Sequence, residues 1–179
     1  MDLAGRPLTL EVGKLALPDV EEDDPLREAI LTCAGERGVE VVFIREDTCI
    51  DLSEEDKLTI FAPMAQAGTA NELGLTVLAS AGEAGALITG DMEREGELCL
   101  AGKKELPAVG LLVVGHHGSD TSTTQELLDR VKPRLALISV GQNNKYGHPA
   151  QSTLERLDRA GADIYRTDLY GTIEVQMKK

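Results

Sequence analysis

The stretch LLVVGHHGSDTST, residues 111–123, decides how this chain is read. An apolar run of strand character stops at Gly115. His116 and His117 follow at once, then Gly118 and Ser119. The whole chain of 179 residues has three histidines, and two of them stand here. In α/β proteins, sites collect beyond the carboxyl ends of strands, which is where these imidazoles fall. The hydroxyl run that follows leads into a helix, and Ser122 or Thr123 suits its N-cap. Ser119, beside the imidazoles, is equally a candidate contact for an anion or for a metal site.

Working outward, the same pattern recurs on both sides. Upstream, ALITGDM reads as a strand over 86–89 ending at Asp91, with a helix near 93–100. The opening stretch itself reads as a strand over 109–114 and a helix over 123–131. Downstream, LALISVGQNNKYGHP reads as a strand over 135–140 that runs through Asn143, Asn144 and Tyr146 to His148, with a helix over 152–160. Three consecutive strands therefore end in Asp91, in His116 with His117, and in His148. Asp and His together suit a borderline cation such as Zn²⁺ or Mn²⁺. Singly, each has a plainer role: Asp91 as a helix cap, the histidines as turn residues, GHP as a turn with Pro149 opening the next helix. Packing alone does not ask for these residues at three successive strand ends, whereas a shared cleft does.

The first half is mixed. LTLEVGKLALP alternates as a strand up to Pro18. Asp24 and Pro25 mark the start of a helix that Gly38 stops, and 39–44 is a strand. TCIDLSEEDKLTIFAP reads as two short strands about an acidic turn, and LGLTVLAS and GALITG as neighbouring strands joined through Gly82 to Gly85. DIYRT and GTIEVQ read as two closing strands. Strands alternating with helices predict a layered α/β sandwich formed as one domain over 1–179, without repeat or linker.

Composition narrows the function. Apolar residues make up 42% and aromatic residues 3%, with no Trp, so the core is aliphatic. No window approaches the ~18 apolar residues of a membrane helix, so the chain itself is expected to be soluble. A net charge of −13 disfavours free-standing nucleic-acid binding, which a bound divalent ion would reverse locally. Cys33, Cys49 and Cys99 form no CxxC pair and read as small core residues.

Taken together, ALITGD, VVGHHGSDTS, ISVGQNNKYGHP and IYRTDLYGTI closely resemble the metallo-β-lactamase-fold domain of the ComEC-type DNA internalisation competence proteins. The resemblance is densest over 73–175. It implies an α/β fold that is part of a metallo-β-lactamase-like αββα sandwich, attached in the parent protein to a membrane channel portion and facing away from the cytoplasm. It implies a two-metal phosphodiesterase, using Zn or Mn, that degrades the non-transported DNA strand. Carried over by motif, Asp91 matches the residue bridging two ions, and the pair His116 and His117 supplies a terminal ligand. His148 is a further ligand or phosphate contact, and Ser119, Asn143, Asn144 and Tyr146 contact substrate.

The departure from the family is as informative. The HxDxDH cluster that supplies most metal ligands is absent, since no histidine precedes His116. The chain is expected to be the later part of the domain, with no metal or partial occupancy and negligible activity of its own. Removing the first strands is expected to leave an apolar sheet face bare and to favour self-association. Two other readings stand beside this one: an inert structural or docking module, and another hydrolase of the same fold acting on a β-lactam or thioester.

Overall fold

The computed structural model describes residues 11–20, 24–64, 70–103 and 106–177. The N-terminal part of the expected first strand lies outside them. What is described begins with β1 (Lys14–Pro18), α1 (Pro25–Glu36) and β2 (Glu40–Ile44). β1 and β2 pair in parallel, so α1 is a crossover helix, as parallel pairing requires. The Asp24 side chain accepts the Leu26 amide at 3.0 Å, and Pro25 occupies the first helical position, where a missing N–H costs nothing.

The remaining strands form one seven-stranded sheet in strictly sequential order. β3 (Thr48–Asp51), β4 (Asp56–Phe61), β5 (Thr76–Ala81) and β6 (Ala84–Ile88) make an antiparallel meander. β7 (Leu111–Val113), β8 (Leu135–Ile138) and β9 (Asp163–Arg166) then add in parallel. The helices α2 (Arg94–Ala101), α3 (Gln125–Val131) and α4 (Gln151–Arg159) make those connections. The layered α/β class is the class the sequence predicts.

The core lies between this sheet and the helices. Leu78, Leu87, Leu112, Ala136 and Ile138 of the sheet meet Leu100 of α2, Leu127, Leu128 and Val131 of α3, and Leu157 of α4. Alternation puts the next residues on the opposite face, where Leu111, Val113, Leu135 and Leu137 are only half-buried.

Several expectations are corrected. GTIEVQ forms no strand: after α5 (Thr167–Tyr170) the chain turns at Gly171, which has φ 70°, and leaves the sheet. Ile173 and Val175 instead line a groove with Leu111, Leu135 and Tyr165, so their alternation serves to cover apolar surface rather than to pair. The three cysteines are free and exposed. Gly96, Glu97 and Leu100 take the inward face of α2, which leaves Cys99 outward, and Cys49 stands on the edge strand β3. The cap of α3 is Thr124, whose hydroxyl accepts the Leu127 amide at 3.3 Å, and not Ser122 or Thr123. Pro149 precedes α4 by two residues instead of opening it.

Candidate functional site

Because β6, β7 and β8 are parallel neighbours, their carboxyl ends lie side by side at one edge. The structure thereby brings Asp91, His116, His117 and His148 together. Asp91 lies past the left-handed Gly90 and does not cap α2, whose N-cap is Glu93.

The histidine turn is a short 3₁₀ segment, Gly115–Gly118, in which both imidazole-bearing residues are left-handed: His116 at φ 49°, ψ 41° and His117 at φ 55°, ψ 22°. Two consecutive non-glycine residues in this region cost roughly 1–2 kcal/mol each, so the surroundings must hold them. They do so through the His116 amide, which donates to the Gly90 carbonyl at 2.9 Å, and the Ser119 amide, which donates to the His116 carbonyl at 2.9 Å. The flanking glycines are sterically required. A Cβ on Gly115 would lie 2.9 Å from Thr89 Oγ1, and one on Gly118 would lie 2.6 Å from Pro149 Cβ.

The strained turn orients the rings. His117 Nδ1 lies 2.7 Å from the Ser139 carbonyl, which can only accept, so Nδ1 carries the proton. Nε2 is then the lone-pair nitrogen, and it faces Asp91 Oδ1 at 3.8 Å. Nitrogen anchored on a carbonyl, with the other nitrogen free, is the arrangement that metal-ligating histidines use. His116 turns the other way, with Nδ1 3.8 Å from Glu93 Oε1 and buried without a hydrogen bond. Glu93 in turn accepts from the Asn71 side chain, Nδ2 to Oε1, at 3.3 Å. The His148 ring stands across from His116 at 5.8 Å, edge to face.

A cleft of about 400 Å³ opens here, lined by His117, Ser139, Val140, Asn144, Tyr146 and His148, with Gly141 and Thr167 completing it. Asn144 fixes its far wall. Its Nδ2 donates to the His148 carbonyl at 2.7 Å, and its Oδ1 accepts the amides of Tyr146 at 3.2 Å and His148 at 3.0 Å. Asn144 thus spends its side chain on shaping the loop. Asn143 sits exposed and left-handed at the loop tip, outside the cleft lining. The Ser119 hydroxyl is buried and accepts the Thr121 amide at 3.3 Å, within its own turn. Thr167 closes the near wall: its hydroxyl accepts the Val140 amide at 2.8 Å. Next to it, Arg166 grips Asp168 through two bonds at 3.0 and 2.6 Å. The guanidinium holds the Asp168 carboxyl below its ordinary range, chiefly by hydrogen bonding.

Two residues escape the sequence reading. Glu93 carries no signal apart from its place at a helix start. Glu97 is fully buried beneath the histidine turn, and its carboxylate accepts the amides of Thr123 and Thr124, each at 2.6 Å. Burial pushes its carboxyl up, against the lowering effect of those amides and of Arg156.

Among the described residues, no three His, Cys, Asp or Glu side chains converge closely enough to hold a metal ion. Asp91 with His117 makes a two-ligand pair, and His116 with Glu93 a second, separate pair. Neither fits a dinuclear centre, which needs more ligands per ion than this.

Fold and cleft define a layered α/β protein with a carboxylate–imidazole site at the carboxyl ends of parallel strands. No family model matches the chain. Curated relatives do. The chain is 30% identical to ComE operon protein 3 of Bacillus subtilis over 94% of its length, covering 22% of that protein. It is 40% identical to competence protein ComA of Neisseria gonorrhoeae over 91% of its length, again covering 22% of the relative. It is 37% identical to recombination protein 2 of Haemophilus influenzae over 59% of its length, covering 13%. The chain is thus similar to proteins of the ComEC type, and it spans about a fifth of the length of the first two of these relatives.

Proposed function

We propose that this chain forms one wall of a metal-dependent phosphodiesterase site that acts on DNA, within a DNA-uptake protein. In this reading it is part of an αββα sandwich of metallo-β-lactamase type, and the remaining ligands come from another segment of a longer protein. That protein would carry the domain outside the cytoplasm beside its membrane channel portion and degrade the strand that is not taken up. Among the described residues, no helix is long and apolar enough to cross a membrane, in keeping with a domain appended to such a channel.

The observation that carries the reading is the anchoring of His117. Ser139 fixes its Nδ1, so Nε2 faces Asp91 across 3.8 Å at the mouth of an open cleft. A mere turn residue needs no carbonyl anchor on one nitrogen and a carboxylate opposite the other. Asp91 and His117 would hold one ion, and His148 would contact the phosphate. Zn²⁺ or Mn²⁺, when bound, supplies Lewis acidity toward the phosphate. The contribution of this chain is orientation, through Ser139 and Asn144.

The missing third ligand favours a second reading, an inert structural or docking module. The two separate on one pair of measurements. Purified chain, dialysed against Zn²⁺ or Mn²⁺, is expected to hold fewer than two ions by elemental analysis and to leave DNA uncut. The longer protein is expected to cut DNA, and His117→Ala is expected to abolish that cutting. Two tightly held ions in the chain alone would contradict the incomplete site. Full cutting by the longer protein after both Asp91→Asn and His117→Ala would leave the docking reading.

A further inference from the structure

Aromatic residues are scarce in this chain, at three Tyr, two Phe and no Trp, yet Tyr146 stands 71% exposed on the rim of the cleft. Its placement is built. Asn144 Oδ1 accepts the Tyr146 amide, and the ring lies nearly parallel to His148, 6.0 Å away with an interplanar angle of 17°. The ammonium of Lys145 covers the ring at 5.2 Å from the centroid. Burial does not account for the tyrosine, because most of it remains in water.

We infer that Tyr146 is a base-stacking platform that holds one unstacked nucleobase of a single strand beside the cleft. An aromatic face attracts any nucleobase, and that stacking is stronger than the exposed cation–π contact now made by Lys145. A base entering from solvent therefore displaces the ammonium, which is free to swing toward the adjacent phosphate. The Tyr146–His148 stack sets the distance between the held base and the imidazole wall. A duplex offers no exposed base face, so the platform selects single strands or frayed ends. In a chain of net charge −13, phosphate contacts such as that of Lys145 add little to binding, which makes an aromatic anchor the stronger means of holding a strand.

This rests on the DNA reading above but not on metal or cleavage, so its test is run with a chelator present. Fluorescence anisotropy would compare the full chain against a short labelled single strand, the same strand with an abasic site, and the duplex. The wild-type chain is expected to bind the intact strand about tenfold or more tightly than the abasic strand or the duplex. Tyr146→Phe is expected to keep that discrimination, while Tyr146→Ala and Tyr146→Leu lose it at unchanged thermal midpoint. No binding of the intact strand, equal binding of intact and abasic strands, or discrimination that survives Tyr146→Leu would each overturn the inference. Absence of cutting by the longer protein, with the stacking signal intact, would fail the phosphodiesterase reading alone.

Discussion

Glu97→Gln is expected to lower stability by about 3 kcal/mol. A fully buried carboxylate is tolerated only when its oxygens are paired. Both oxygens of Glu97 are, by the amides of Thr123 and Thr124 at 2.6 Å each. Hydrogen bonds to a charged acceptor contribute roughly 1.5–3 kcal/mol each, and an unpaired buried group costs as much again. Glutamine keeps the shape but turns an NH₂ group against one of those N–H donors. Arg156 grips the same loop from the other side, donating to the carbonyls of Ser122 and Thr123 at 2.8 Å each and to that of Asp120. With Glu97 disarmed, the loop loses bonds that fix Thr123 and Thr124, and it is the loop that continues from the histidine turn. In a chain of this length the melting temperature should fall by about 10 °C. Calorimetry of the two proteins decides, and a shift within a degree would remove Glu97 from this role.

Self-association is the second large effect. The sheet face away from α2, α3 and α4 carries half-buried Leu111, Val113, Leu135 and Leu137, flanked by Ile88 and Tyr165 at 41% and 44% exposure. Residues 173–176 flank part of it. A monomer tolerates only a few hundred Å² of contiguous apolar surface, and among the described residues β3 is an edge strand, whose outer backbone groups invite pairing. The charge of −13 opposes association until salt shortens the screening length to about 10 Å near 0.1 M. Sedimentation is therefore expected to show dimer growing with both protein concentration and salt. A monomer under all conditions would mean that residues 173–177 and their neighbours suffice to cover the face.

The sequence legibility of this protein is uneven, for physical reasons. The convergence of Asp91, His116, His117 and His148 was readable because parallel strands joined by helices must end at one edge. The Asp24–Pro25 helix start was readable because caps are local. Which imidazole faces Asp91 was not, because that depends on the Ser139 carbonyl, 22 residues away from His117. Glu97 and Arg156 were hidden for the same reason: their partners lie 26 to 36 residues off along the chain. The Asn144 side chain's three bonds to the His148 and Tyr146 backbone were not legible either, because they depend on how the loop folds back on itself. The exposed cysteines and the unpaired GTIEVQ segment show where alternation and residue type fail. Both describe what a face prefers and not whether a partner stands there.

In the proposed site, His117 Nε2 and Asp91 Oδ1 face each other as a metal-ligand pair. Long-range proton–nitrogen NMR of the three imidazoles, with and without Zn²⁺, tests it most directly. The expected result is His117 in the Nδ1–H tautomer, a Zn²⁺-induced shift at its Nε2, and loss of that shift in Asp91→Asn. His117 in the Nε2–H tautomer, or a Zn²⁺ response confined to His148, would contradict it.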